Sequence, residues 1–152
     1  MPEIRSVRPA DLLLDLKNPR VPYKDAGQRE ALHRLAKHQG EQLLVLASHI
    51  IEHGGLSPAD LPIAMASEEE VGRYILLDGN RRLTAIRSLE SPDSLGDALE
   101  PAIMEKIRRL SLKYQQAPIE AVQCVIVADR DEAQPWIDLR HQGPLVLRYR
   151  NR

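Results

Sequence analysis

Residues 73–90, RYILLDGNRRLTAIRSLE, combine a glycine turn with two adjacent arginines in an order that suits anion binding. The β-branched and aromatic residues before the turn predict a strand, and the apolar spacing after it predicts a helix. Gly79 permits unusual backbone angles, and Asn80 is a favourable N-cap residue. Arg81 and Arg82 then fall in the first helical turn, where the helix dipole disfavours each positive charge by up to about 1 kcal/mol.

A bound anion would remove this conflict, because free backbone N–H groups and two guanidinium groups would converge on one phosphate. The alternative is that both arginines point outward and pair with nearby carboxylates, namely Asp78, Glu90 or Asp93. Asp78 is the only carboxylate fixed at the turn itself. It is therefore the candidate residue for holding Mg²⁺ or for acting as a general base.

Two other segments carry side chains that would complete such a site. Asn18 and Arg20 flank a proline after the predicted first strand, and Arg20 would be a third phosphate donor if it faced the same cleft. The alternative is a strand-ending turn with a solvated arginine. Arg140 and His141 end the last predicted helix, where they either close the cleft or complement the helix dipole ahead of a glycine.

Histidine and cysteine residues favour structural interpretations. His49, Glu52 and His53 match the H-x-x-E-H pattern of zinc peptidases, and the two histidines share a helix face. No third protein ligand is evident, so a solvated histidine pair is the favoured interpretation. The single cysteine, Cys124, lies in the apolar run VQCVIV and is interpreted as a buried structural thiol. Neither a Walker A motif nor a G-x-G-x-x-G motif occurs in the sequence.

The elements that must position these residues alternate between strands and helices. Apolar and β-branched runs predict four strands, over residues 12–16, 61–65, 73–77 and 119–127. The last of these is expected to be central. Helical spacing predicts five helices, over residues 28–38, 41–53, 81–89, 101–117 and 131–141. We therefore expect an α+β fold, with a small mixed sheet flanked by helices in one compact domain over residues 1–152.

The composition of the chain argues against a broad nucleic-acid-binding surface and against a membrane protein. The chain has 21 Lys and Arg against 22 Asp and Glu, so its total charge predicts no broad nucleic-acid-binding patch. Basic segments nevertheless flank an acidic middle, since residues 41–72 hold six Asp or Glu and no Lys or Arg. Aromatic residues make up only 3%, too few for extensive base stacking. No apolar run reaches membrane-spanning length and no signal peptide is visible, so a cytoplasmic protein is expected.

The order of these segments resembles the ParB/sulfiredoxin-like superfamily, which includes the N-terminal domains of ParB chromosome-partition proteins. The resemblance covers residues 8–142 and is specific at 73–89, where the strand–Gly-x-x-Arg–helix turn of that family binds nucleotide phosphates. Residues 91–117 resemble a helical insertion into the minimal domain. The resemblance implies that the nucleotide is contacted by Gly79, Asn80, Arg81, Arg82, Thr84, Asn18, Arg20, Arg140 and His141.

The departures from the family pattern narrow the expected function. Sulfiredoxins have a cysteine where this chain has Asn80, so sulfinic acid reductase activity is not expected. ParB proteins read Gly-Glu-Arg-Arg, whereas the sequence from Asp78 onward is similar to the Asp-Gly-x-x-Arg form of kinase-like and nuclease-annotated members. The resemblance implies a nucleoside triphosphate with Mg²⁺ as cofactor.

The expected function is a nucleotide-binding domain, or a nucleotide hydrolase, in a DNA-associated system. One alternative is a non-catalytic module that binds DNA or protein through the same arginine turn. A second alternative is phosphoryl-transfer or nuclease activity with Asp78 as the base. The expected partners are a nucleotide, DNA and a second copy of the chain, and no membrane.

Overall fold

The computed structural model describes residues 2–17 and 27–141, which form a five-stranded mixed sheet with helices on both faces. The strands are β1 (Glu3–Val7), β2 (Leu12–Leu13), β3 (Ile63–Ala66), β4 (Tyr74–Asp78) and β5 (Val122–Val127). Their order across the sheet is β1-β5-β3-β4-β2. The pairs β1–β5 and β3–β4 are antiparallel, whereas β3–β5 and β2–β4 are parallel.

Five α-helices accompany the sheet within the same residues. They are α1 (Gln28–Gln39), α2 (Glu41–His53), α3 (Asn80–Glu90), α4 (Pro101–Gln116) and α5 (Arg130–His141). Two short 3₁₀ helices cover Pro9–Asp11 and Pro92–Leu95. A glycine ends both α1 and α2, and a proline occupies the first turn of α4, as their sequences predict.

Side-chain alternation along the strands divides the core into two layers. Leu76 of β4 and Cys124 of β5 belong to the main core, which α1, α2, α3 and α4 complete. Their neighbours Leu77 and Val125 belong to a second cluster with Ala133 of α5. The sheet therefore lies between a layer of four helices and α5.

The predicted α+β fold, a small mixed sheet flanked by helices, is confirmed. The predicted first strand is wrong in extent, because β2 covers only Leu12–Leu13. The backbone of Leu14 leaves the sheet and exchanges two hydrogen bonds of 2.8 Å with the side chain of Gln28. The prediction that β5 is central is also wrong: it is an interior strand, but β3 holds the middle position.

No helix in residues 2–17 or 27–141 is both long and apolar enough to cross a membrane.

The extent of the domain, residues 1–152, and the interpretation of residues 91–117 as an insertion remain predictions. In the structure, Met104 and Ile107 of α4 are buried in the main core, so this part of the chain contributes to its stability.

Candidate phosphate-binding cleft

A cleft of about 1090 Å³ opens at the carboxyl end of β4, where the two helix layers meet at the sheet. The parallel strands β2 and β4 both lead into it, which is where open α/β sheets usually bind ligands. Among the described residues, five basic side chains line the cleft: Lys17, Arg81, Arg82, Arg130 and Arg140. Four acidic side chains of the described residues also line it: Asp15, Asp60, Asp78 and Asp138.

Gly79 forms the turn between β4 and α3 in a backbone conformation that favours glycine. Its φ is 108° and its ψ is 13°. A Cβ at this position would lie 3.0 Å from Cβ of Pro62 and 3.3 Å from Nη2 of Arg82. The glycine therefore allows both the left-handed turn and the close approach of the loop before β3.

Asn80 is a positioning residue and not the N-cap that the sequence predicts. The helix begins at Asn80 itself, with Gly79 as its N-cap. The buried Asn80 side chain donates a hydrogen bond from Nδ2 to the Leu76 carbonyl and accepts one at Oδ1 from the Asp15 N–H, both of 2.9 Å. It thus ties the end of β4 to the segment after β2, and its backbone N–H is the group left for a ligand.

Thr84 faces the core and does not line the cleft. Its side chain is fully buried, and its hydroxyl donates a 2.8 Å hydrogen bond to the backbone carbonyl of Asn80, one turn earlier in the helix. The structure therefore gives Thr84 a role within α3, in contrast to the nucleotide contact that the family resemblance implies.

The N-terminus of α3 has no side-chain cap and no acidic residue in its first turn. The first helical hydrogen bond runs from the Leu83 N–H to the Gly79 carbonyl, at 3.0 Å. The N–H groups of Asn80, Arg81 and Arg82 precede it and have no acceptor within the helix. The Arg81 side chain is exposed and makes no ion pair with any residue of the described segments. This end of the helix is consequently a positively charged wall of the cleft.

Arg82 and Arg140 meet at a carboxylate that the sequence did not single out. Arg82 Nη1 donates to the backbone carbonyl of Asp60 and lies 3.8 Å from Asp60 Oδ2. Arg140 Nη2 lies 3.4 Å from Asp60 Oδ1, while Arg140 Nη1 donates to Asp78 Oδ2. Because Asp60 is 22 residues from Arg82 and lies in an irregular loop, only the fold reveals this contact.

The alternative pairing expected for the two arginines is not seen. Asp78 pairs with Arg140, Glu90 with Arg87, and Asp93 with Arg108. None of the three proposed carboxylates therefore neutralises Arg81 or Arg82.

Asp15 and Arg130 form the most buried ion pair on the cleft wall. Two hydrogen bonds, of 2.7 and 2.8 Å, join the guanidinium to both carboxylate oxygens. Asp15 also accepts a 3.0 Å hydrogen bond from the Lys17 N–H, and its side chain is only 4% exposed. The hydrogen bonds to Asp15 raise the pKa of Arg130 above its ordinary value. Sequence reasoning missed both residues, which lie 115 positions apart.

The donor set fits a phosphate-bearing ligand better than a resident metal ion. Asp15, Asp60 and Asp78 are each paired with an arginine, which competes with a cation for their oxygens. No group of three or more metal-binding side chains occurs in the part of the chain that the structure describes. The uncapped N–H groups and Arg81 instead offer donors for an anion. Any Mg²⁺ would have to be held chiefly by the phosphates of the ligand.

Of the remaining predicted site residues, Asn18 and Arg20 lie outside the described residues, as does the side chain of His141. The structure brings Asp78, Gly79, Asn80, Arg81, Arg82 and Arg140 together around one cleft.

The other predicted structural roles agree with the structure. His49 and His53 are exposed, with ring centroids 4.2 Å apart, and they join no larger metal-binding group among the described residues. Cys124 is fully buried, and burial raises the pKa of its thiol to about 11. The interpretation of Cys124 as a buried thiol is therefore confirmed.

Comparison with known proteins finds a similarity of structure and none of sequence. No protein-family profile and no curated protein sequence matches this chain. Among solved structures, the chain is similar to the C-terminally truncated chromosome-partitioning protein ParB from Caulobacter crescentus, complexed with CTP-γ-S. The TM-score is 0.49 and the sequence identity is 17%, over 92% of this chain and 52% of that chain. This chain thus spans about half the length of that ParB chain.

Proposed function

We propose that this chain is a nucleotide-binding domain that holds the phosphates of its ligand at the N-terminus of α3. The observation that carries the proposal is the exposed Arg81, which has no ion-pair partner among the described residues, beside an uncapped helix N-terminus at the mouth of the cleft. Backbone N–H groups and a charged guanidinium together form a strong phosphate site. An arginine in the first turn of a helix is unfavourable without such an anion.

The size and lining of the cleft support a ligand larger than a free phosphate. Its volume of about 1090 Å³ is slightly above the usual range of about 300–1,000 Å³ for small-molecule sites. Leu35, Leu46 and Ile137 add apolar surface to the charged wall. A nucleotide has both parts that this lining suits, an anionic phosphate group and a flat, less polar base.

The arrangement supports binding more directly than it supports hydrolysis. Asp78 is the carboxylate at the turn, but its Oδ2 accepts a hydrogen bond from Arg140. We infer that Asp78 mainly positions Arg140 at the cleft. Hydrolysis with Asp78 as base is a finer proposal, which Asp78→Asn tests. Loss of turnover with unchanged nucleotide affinity would support catalysis, and unchanged turnover would contradict it.

The decisive experiment is a calorimetric titration of the wild-type chain with CTP, ATP, GTP and ADP, each with Mg²⁺, at low salt. CTP belongs in this set because the ParB structure was complexed with CTP-γ-S. We expect saturable binding of at least one nucleotide, and a loss of about tenfold in affinity for Arg81→Ala. Arg109→Ala is the matched control, because Arg109 is an exposed arginine on α4 that pairs with Glu105 outside the cleft.

A folded wild-type chain that binds none of these nucleotides would contradict the proposal. Equal affinities of Arg81→Ala and Arg109→Ala would place the nucleotide elsewhere on the chain. A second candidate function uses the same donors, since the exposed Arg81 could equally contact a phosphate of DNA. Titration with a DNA duplex, again comparing these two variants, tests that function directly.

A further inference from the structure

Asp60 contacts the arginines of two different helices at the cleft. Its carboxylate lies 3.8 Å from Arg82 of α3 and 3.4 Å from Arg140 of α5, measured between the closest nitrogen and oxygen atoms. A carboxylate between two guanidinium groups satisfies them much as a phosphate would. The Asp60 carboxylate thus lies between two arginines that border the proposed ligand site, where a phosphate group of the ligand could also lie.

Asp60 is also the most exposed of the three carboxylates that pair with arginines of the cleft. Its side chain is 59% exposed, compared with 4% for Asp15 and 20% for Asp78. It lies in the irregular segment between α2 and β3, whereas Asp15 makes a two-pronged contact with Arg130 and accepts a backbone N–H. Long ion pairs in which one partner is this exposed are weak, so little free energy opposes the movement of the Asp60 carboxylate into solvent.

We propose that Asp60 sets the charge preference of the cleft by competing with the ligand for Arg82 and Arg140. This inference rests on the proposed nucleotide-binding function. With Asp60 in place, the described lining has five basic and four acidic side chains, so it offers little net attraction to an anion of low charge. When the carboxylate leaves, both arginines gain free donors. A polyphosphate makes several charged contacts with the cleft, and these offset the free energy of displacing Asp60. A single phosphate makes fewer contacts and offsets less of it.

The test is a calorimetric titration of wild type and Asp60→Asn with inorganic tripolyphosphate and with inorganic phosphate. Asp60→Asn removes the charge but keeps the backbone carbonyl that accepts the hydrogen bond from Arg82, so that arginine stays anchored. We expect wild type to prefer tripolyphosphate, and Asp60→Asn to bind it about fivefold to tenfold more tightly. Asp93→Asn is the matched control, because Asp93 is an exposed aspartate that pairs with Arg108 outside the cleft.

The outcomes separate this inference from the proposed function. Equal or weaker binding by Asp60→Asn, while wild type binds, would overturn the role of Asp60 and leave the nucleotide site standing. Failure of both proteins to bind tripolyphosphate or any nucleotide would overturn the proposed function, and the inference with it. Asp60→Ser is a second neutral variant, and it must show the same gain if loss of the carboxylate is the cause. Circular dichroism confirms that each variant is folded.

Discussion

At Gly79 the chain combines a positive φ of 108° with a close approach to Pro62, at 3.0 Å from the position of a Cβ. We expect Gly79→Ala to lower the free energy of unfolding by about 2–3 kcal/mol, because backbone strain and a steric clash add. Gly72→Ala is the matched control, since Gly72 has a φ of 87° but open space around it. Urea denaturation measures both losses. Equal losses would show that the contact with Pro62 has no energetic consequence.

The buried thiol of Cys124 is expected to make stability depend on alkaline pH. Burial raises its pKa to about 11 in the folded chain, whereas the unfolded chain keeps the ordinary thiol value. Between these two pKa values the unfolded chain has released a proton that the folded chain retains, so the free energy of unfolding falls as the pH rises. From about pH 8 to about pH 10.5, wild type should lose roughly 2 kcal/mol more than Cys124→Ala.

Urea denaturation of wild type and Cys124→Ala at both pH values checks this prediction. The variant is less stable overall because it leaves a small cavity, so only the pH dependence is compared. Parallel pH dependences in the two proteins would mean that another group, such as a tyrosine or lysine, causes the alkaline loss.

At the scale of secondary-structure elements, the ion pair between Asp15 and Arg130 joins the segment after β2 to the first residue of α5. We expect a coupling free energy of about 1–2 kcal/mol from a double-mutant cycle with Asp15→Ala and Arg130→Ala. This coupling free energy is smaller than that of a fully buried ion pair, because the Arg130 side chain is 35% exposed and solvent partly screens its charge. Urea denaturation of the four proteins gives the value.

The pair of Arg8 and Asp11 is the control for this cycle. Arg8 is highly exposed, and the two residues are only three apart in the sequence. We expect a weaker coupling for this pair than for Asp15 and Arg130, because solvent screens the exposed Arg8 guanidinium. If the Asp15 cycle gives no more than this control cycle, the cleft wall is not held by the ion pair.

The elements that could be predicted from the sequence are those marked by local signals. Helix α2 begins and ends where its apolar spacing and Gly54 indicate, and the turn at Gly79 lies between β4 and α3 as expected. Strand β1 gave no such signal, because four of its five residues are exposed and its pairing with β5 is long-range. The same reason explains why the partners of the cleft arginines, Asp15 and Asp60, were missed.

At the scale of the whole molecule, the fold brings opposite charges from distant parts of a nearly neutral sequence together at the cleft. The net charge is −1, and the acidic residues 41–72 contain no Lys or Arg. The fold brings Asp60 from this acidic stretch against Arg82 and Arg140, which lie outside it in the sequence. Composition alone therefore underestimates the local positive charge that becomes available at the cleft if Asp60 is displaced. Binding of an anion is then governed by local ion pairs and not by the overall field of the protein.

A ligand that contacts both α3 and α5 should stabilise the whole fold, because these helices lie on opposite faces of the sheet. At a concentration of about 100 times Kd, the bound nucleotide should raise the free energy of unfolding by about 2.7 kcal/mol. The shift in Tm should shrink at high salt, because ions screen the contacts of the ligand with exposed arginines. Trp136, the only tryptophan of the sequence, is half-exposed on α5, the helix that carries the cleft-lining Ile137, so a change in its fluorescence on titration would report binding.

Thermal denaturation with and without nucleotide, at low and high salt, measures the stabilisation, and a fluorescence titration at 25 °C measures the affinity independently. Arg81→Ala should lose most of the Tm shift, whereas Arg109→Ala should keep it, since only Arg81 lines the cleft. A shift that survives high salt and Arg81→Ala alike would mean that apolar contacts with the base, and not the phosphate contacts, dominate binding. The N-terminus of α3 would then be a minor part of the site.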